Sequence, residues 1–492
     1  MNTNIEDNAT KLMMDNLVKN LADNDEYPAM MSMSERCVSI LSHLWGVQKG
    51  EKAVGSPTVG SSEAIHLGGL AMKRWWQERR RAQGKDTLKP NIIMGANAQV
   101  ALPKFGCYFE VEARILPVSA KSEYRLDPDL VRKNIDENTI GVFVILGSTY
   151  TGHYEPVEEI SKILDEYEQK TGVDIPIHVD AASGGFVAPF THAQAGDSKW
   201  FVFLQPFHLQ VMQLLKTGHR NFELPRVRSI NTSGHKYGLV CAGVGWIVWR
   251  DESYLPKDLI FELHYLGGTE QSYTLNFSRP GAQVIVQYFN LTHLGFNGYR
   301  EIMENCLANA RLLSKSLEAT GWFTCLSSIH RRVSTRDLTT KLKNTILSDQ
   351  TPSSQPETET SASYVAGLPV VAFRLSDSFR REYPHIKQEN ISLLMRARQW
   401  IIPNYALPPG EQDTEILRVV VRNSMSFDLL DKLITDLVLV TEELMKNDTI
   451  DTETLKRQHA RRKPRVHGEG VKKEVEMFMG KRMVDGIHRS VC

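Results

Sequence analysis

Between residues 91 and 249, short apolar runs alternate with helical stretches, and this alternation constrains the fold more than any other feature. Candidate strands fall at 91–94, 140–146, 175–179, 229–233 and 245–249. A long helix is expected over 62–83, after Gly60-Ser61 and before Gly84, and another over 156–172. Strands joined through helices run parallel, each helix crossing back over one face of the sheet. The expected class is therefore α/β with a mostly parallel central sheet. Such sheets bind ligands in the crevice beyond the carboxyl ends of their strands. The residues just after each strand are the ones to inspect.

The flanks divide the chain further. Residues 1–45 read as partly amphipathic helix (Leu12, Met13, Leu17, Val18, Leu21) broken at Tyr27-Pro28. A long helical stretch covers 281–319, and a second, smaller α+β unit begins near 307, with its own strand at 369–375. The division expected is a helical segment at 1–45, a large unit at 46–306, a small C-terminal unit at 307–448 and a tail at 449–492. Residues 334–363 are Ser/Thr-rich with Pro352 and Pro356, and read as an exposed loop. The tail places six Lys/Arg between Lys456 and Arg465 and reads as a solvated, disordered segment. Docking to an acidic partner such as calmodulin is the sharper reading, but no amphipathic anchor pattern accompanies the charge.

Composition excludes some classes. A chain of 492 residues is too long for one small core. Lys+Arg and Asp+Glu both number 58, so no basic surface for bulk nucleic-acid binding is expected. No apolar run reaches the roughly 18 residues of a membrane span. The polar N-terminus lacks the basic and apolar regions of a secretory signal. Cysteines at 37, 107, 241, 306, 325 and 492 form no CxxC pair, so neither a metal site nor a disulfide framework is expected. A reducing, cytoplasmic setting fits these features.

Three turns carry the chemistry. In Ser229-Ile-Asn-Thr-Ser-Gly-His-Lys236, a strand ends in a Gly-flanked turn that presents a His-Lys pair. A desolvated lysine can lose its proton and condense with an aldehyde. In His178-Val-Asp180-Ala-Ala-Ser183, a carboxylate follows an apolar strand. It could keep a pyridinium nitrogen protonated, or simply cap the next turn. Gly60-Ser61-Ser62-Glu63 opens the long helix, where free N–H groups and the dipole suit a phosphate, or where a serine merely caps. No single motif decides. In chain order, a cradle, then a carboxylate, then a lysine, each beside a strand or helix end, they form the parts list for pyridoxal phosphate (PLP).

The chain resembles the glutamate decarboxylases, in their fungal and plant form, within the type I PLP-dependent transferase fold. The resemblance runs from about Asp15 to about Leu444, over VGSSEA, NAQVALPKF, TYTGHYEPV, HVDAASGGFVAPF, LPRVRSINTSGHKYGL, GWIVWRDE, NFSRPGAQV and LRVVVR. It implies that Lys236 is the Schiff-base lysine and that Asp180 partners the ring nitrogen. It implies phosphate ligands at Ser61, Ser62 and His235, with Ser278 donated by a second subunit. Gln99 would lie over the cofactor face and Thr149 beside its ring oxygen, and Ser183 and Ser233 would complete the cofactor set. Arg418 would hold the substrate α-carboxylate, with Asp23 near the substrate side chain. The implied reaction converts L-glutamate to 4-aminobutanoate and carbon dioxide, in a homodimer or larger homo-oligomer.

The sequence departs from this family in three places. The N-terminal arm is shorter by several dozen residues, and with it go a threonine and a phenylalanine of the neighbour's pocket. Residues 201–221 form an apolar insert before LPRV that suits no exposed loop and reads as a retained intron or a gene-model error. Pro103 stands at an expected polar position, and Pro57 sits just before VGSSEA. Two alternatives stay open: a PLP decarboxylase of another acidic amino acid, such as aspartate or cysteine sulfinate, and a catalytically impaired structural paralogue.

Overall fold

The computed structural model describes residues 5–23, 25–47, 50–191, 224–263, 270–333 and 360–446. The insert at 201–221, most of the 334–363 loop and the 449–492 tail lie outside the described residues.

The large sheet has seven strands: β1 (Val54–Thr58), β2 (Asn91–Gly95), β3 (Glu112–Leu116), β4 (Thr139–Ile145), β5 (Ile177–Asp180), β6 (Val227–Ser233) and β7 (Gly245–Trp249). Their spatial order is β1-β7-β6-β5-β4-β2-β3. All neighbours pair in parallel except β7, which runs antiparallel to both β1 and β6. Every residue of β2, β4, β5 and β7 is buried, as expected for strands covered on both faces. The edge strands read differently. β3 alternates irregularly and exposes Glu112. β1, with the sequence VGSPT, contains Pro57, which cannot donate to a ladder and is tolerated because β1 lies at the edge. Neither edge strand is expected from hydrophobic pattern alone, because neither carries a continuous apolar run.

Helix α1 (Asp7–Asp15) and helix α2 (Pro28–Leu44) pack against the helix Ala282–His293. Between them the chain bends through 16–27 rather than at Tyr27-Pro28 alone. Helix α3 (Ser61–Ala82) lies across β4, β6 and β7. Its last turn carries Arg79, Arg80 and Arg81, which favour the negative end of the helix dipole. Residues 281–319 form two helices rather than one. Ala282–His293 and Gly295–Ala319 meet at Leu294, and Gly295 adopts a φ of +60° that the regular helix cannot continue through.

A second sheet follows, with order β10-β11-β13-β12, antiparallel throughout: β10 (Phe323–Cys325), β11 (Val370–Leu375), β12 (Asn404–Ala406) and β13 (Glu415–Val420). A short pair, β8 (Phe261–Leu263) and β9 (Glu270–Ser272), stands apart from both sheets. Helix Gly295–Ala319 links the two cores. Tyr299, Met303 and Leu307 pack into the core of the large sheet, and Leu313 and Leu317 into that of the small one. Within the stretch read as an exposed loop, Ser361 is instead buried, held by Glu304 and Arg311. No helix among the described residues is long and apolar enough to cross a membrane.

Candidate active site

One cavity of about 320 Å³ opens beyond the carboxyl ends of β2, β4, β5 and β6. Ser61, Ser62, Gln99, Thr149, Asp180, Ser183, His235 and Lys236 all line it. Residues up to 175 positions apart in sequence therefore share one wall, because the parallel strands end on the same side of the sheet.

The cradle at the start of α3 depends on close backbone approach. Gly60 precedes the helix with a φ of +82°, which glycine adopts without strain. Behind it, a Cβ on Gly245 would come within 2.4 Å of the Gly60 carbonyl carbon, so β7 can reach the cradle only as glycine. The first N–H groups of α3 have no helical acceptor, and with the positive end of the dipole they suit an anion. His235 lines the same cavity, and its Nδ1 is buried without a hydrogen-bond partner. Burial, then the neighbouring Lys236, lowers its pKa, which favours the neutral ring.

Lys236 Nζ donates to Ser183 Oγ at 3.1 Å. Burial pulls the ammonium pKa below its ordinary value, Asp180 opposes that shift and Arg418 adds to it. A lysine depressed in this way reaches the neutral, nucleophilic amine more readily.

Asp180 is fixed from behind. Its Oδ1 accepts from the Ala182 N–H at 3.1 Å and from Asn231 Nδ2 at 3.0 Å. Because Asn231 donates through nitrogen, its Oδ1 is an acceptor, and His178 Nε2 donates to it at 2.8 Å. His178 Nδ1 is then the acceptor, 2.7 Å from Ser229 Oγ, which donates. Burial holds the His178 pKa down at about 4, so the ring is neutral and this one tautomer satisfies the whole chain. Space enforces it too: a Cβ on Gly68 of α3 would approach the His178 ring to 2.4 Å.

Four of the residues named from sequence do not line this cavity. Ser233 Oγ is buried without a partner. Arg418, on β13, donates from Nη1 to the Thr149 carbonyl, which places the small sheet at the cavity's rim. Asp23 accepts from the Glu26 N–H, and Ser278 is exposed and accepts from Asn20 Nδ2, so both stand away from the cavity of their own chain. The structure adds residues that were not singled out: Asn97, Gly147, Ile145 and Gly243. Asn97 and Gly147 follow β2 and β4, and the rule that strand ends face the ligand could have found them.

The pyridoxal-dependent decarboxylase conserved domain matches residues 3–200 and 203–334. A glutamate decarboxylase of Saccharomyces cerevisiae is 46% identical over 457 residues, spanning 90% of this chain and 73% of the relative. One from Petunia hybrida is 42% identical over 442 residues, spanning 89% and 75%. Among solved structures, Lactobacillus brevis glutamate decarboxylase superposes with a TM-score of 0.74 at 34% identity, covering 91% of this chain and 88% of that one. A sphingosine-1-phosphate lyase of Burkholderia pseudomallei superposes with a TM-score of 0.62 at 19% identity, covering 96% and 86%, and shares the fold.

Proposed function

Because this chain belongs to the pyridoxal-dependent decarboxylase family, we propose that it converts L-glutamate to 4-aminobutanoate and carbon dioxide, with pyridoxal 5'-phosphate held at Lys236. The fold is of type I, a mostly parallel sheet with a smaller C-terminal α+β part. The observation that carries the reading is the convergence on one cavity of a depressed lysine, a buried carboxylate and an open helix N-terminus.

The donor set fits the cofactor. Ser61 and Ser62 with the α3 N–H groups, together with the unpartnered His235 Nδ1, suit the phosphate. Asp180 suits the ring nitrogen, Lys236 the aldehyde, Gln99 the ring face, and Thr149 with Ser183 the ring's oxygen side. Ser233, at the end of β6, stands behind this set rather than in the cavity lining. When bound, pyridoxal phosphate supplies the electron sink for the pair released from the bond to the α-carboxylate.

The protein's own part is to bind and orient. Asp180 keeps a proton on the ring nitrogen, and the Asn231–His178–Ser229 chain holds the carboxylate still. Arg418 anchors the α-carboxylate at the rim and so fixes how the substrate stands in the cavity. Lys236, held in the cavity wall at Ser183 Oγ, is placed to return a proton to the substrate Cα. One proton is consumed per turnover.

A second copy would bring its Ser278, and its Asp23 near the substrate side chain, to complete each site in a homodimer. Residues 46–306 act as the cofactor unit and 307–448 as the smaller unit carrying Arg418. The described cysteines are unpaired, which supports a cytoplasmic setting.

The deciding measurement is 4-aminobutanoate formed from L-glutamate by purified protein with added pyridoxal phosphate. Product that disappears in Lys236→Ala supports the reading. A borohydride-trappable imine without product shifts the substrate to another acidic amino acid, and neither product nor imine rejects catalysis.

A further inference from the structure

Glu155 is fully buried, in the chain that leaves the end of β4. Its Oε1 accepts from Asn97 Nδ2 at 2.8 Å and from the Leu126 N–H at 3.2 Å. Its Oε2 accepts from the Ile145 N–H at 2.7 Å. Three donors from three separate segments thus converge on one carboxylate. Asn97 and Ile145, on the ends of β2 and β4, both line the cavity. Arg125 is the charged group that faces Glu155, but its own hydrogen bonds go to Ser122, Glu123 and the Tyr154 carbonyl. The titratable neighbours on Glu155's own segment are His153, held neutral by burial, and Tyr154, whose pKa burial raises. Burial pushes the Glu155 carboxyl up to about 7, against the three donors.

The carboxylate decides how the Asn97 amide stands. An ionised carboxylate only accepts, so Nδ2 must face it and Oδ1 must face away. Oδ1 is buried with no hydrogen-bond partner, packed where a Cβ on Gly95 would come within 2.2 Å of it. If Glu155 carried a proton on Oε1, two donors would oppose each other, and the amide would have to turn over. Nδ2 would then occupy the tight space beside Gly95, with two N–H groups in place of one acceptor.

Resting on the function proposed above, we propose that Glu155 is a positioning residue of the cofactor site that acts through Asn97, its ionised carboxylate fixing the amide and the β2 and β4 ends in the orientation that accepts pyridoxal phosphate. The test is a thermodynamic cycle on the apo protein, titrated with pyridoxal phosphate and read by absorbance. Wild type, Glu155→Gln, Asn97→Ala and the double variant are compared at pH 8. Each single variant is expected to bind about tenfold more weakly, and the double variant no more weakly than either single one. Losses that multiply, or a Glu155→Gln affinity within about twofold of wild type, overturn the inference while leaving the proposed function standing. Wild type that binds no cofactor overturns both.

A second readout serves if Glu155→Gln does not fold. The ratio of the Asn97→Ala to the wild-type dissociation constant cancels the cofactor's own titration. It should fall from about ten at pH 8 toward one below pH 6, as Glu155 takes up its proton. A ratio that stays flat overturns the inference.

Discussion

Lys236 Nζ and Ser183 Oγ lie 3.1 Å apart, joining the turn after β6 to the turn after β5. The bond holds the amine against the wall that Asp180 also lines, before any ligand arrives.

Replacing Lys236 with Ala should lower turnover by on the order of 10³-fold or more while leaving the protein folded. The alanine removes a desolvated ammonium and frees only a serine hydroxyl that borders the cavity. Product assay and borohydride trapping check the loss of Lys236 chemistry, and near-ultraviolet circular dichroism checks the fold. Retained turnover would remove Lys236 from the mechanism.

Asp180→Asn keeps an oxygen that can accept from Ala182 and Asn231, so the fold should hold. The charge is lost, and with it the grip on a protonated ring nitrogen. A fall in kcat of roughly 10²- to 10⁴-fold is expected, with little change in Tm. The loss of Asp180's favourable field should also depress the Lys236 ammonium pKa further in the protein without cofactor.

Arg418→Lys should not be conservative. The guanidinium reaches the Thr149 carbonyl through Nη1 and keeps other donors for a carboxylate, a fork that an ammonium cannot reproduce. The expected result is a kcat/KM for glutamate lowered by about 10²-fold, with cofactor affinity near wild type. Unchanged kcat/KM would place Arg418 outside substrate binding.

Gly68→Ala should destabilise the protein, although alanine is the better helix former by about 1 kcal/mol. The added Cβ meets the His178 ring, which Ser229 and Asn231 lock in place, so the overpacking should cost about 1–3 kcal/mol. Urea unfolding midpoints measure the net loss.

Two buried groups should bend the pH dependence of stability in opposite senses. His178 is neutral down to about pH 4 in the folded chain but titrates near 6.5 when unfolded. The unfolded state therefore binds more protons in that window, and stability falls as pH drops from 6.5 to 4, by of the order of 3 kcal/mol. Glu155 is the reverse case: its pKa is raised when folded, so its contribution is complete below about 4.5 and is lost as pH climbs through about 7. Glu155→Gln should remove that opposing slope and steepen the acid loss, as urea midpoints between pH 4.5 and 7 would show. A slope unchanged by Glu155→Gln would mean that the buried carboxyl is not titrating there.

The parallel core and the three chemical turns were legible because their signals are local. A strand buried on both faces, such as TIGVFVI in β4, is a continuous apolar run, and a glycine-flanked lysine after a strand announces itself. The edge strands β1 and β3 were not legible, because strands that carry Pro57 or Arg114 lack that run. The break at Gly295 was hidden for a different reason: one glycine inside a helical pattern is compatible with a continuous helix until its φ is known.

The sequence by itself determined the α/β order and which residue types follow each strand, since both depend on side-chain chemistry within a few positions. It could not place Arg418 at the rim rather than on the cavity wall, because that depends on how the second sheet packs back against the first. Nor could it show that Asp180, Asn231, His178 and Ser229 form one hydrogen-bonded chain, or that Glu155 joins three segments beneath the cavity. Those relations belong to the tertiary structure. Burial makes an unmatched polar group costly, and only the packed chain decides which distant donor meets which acceptor.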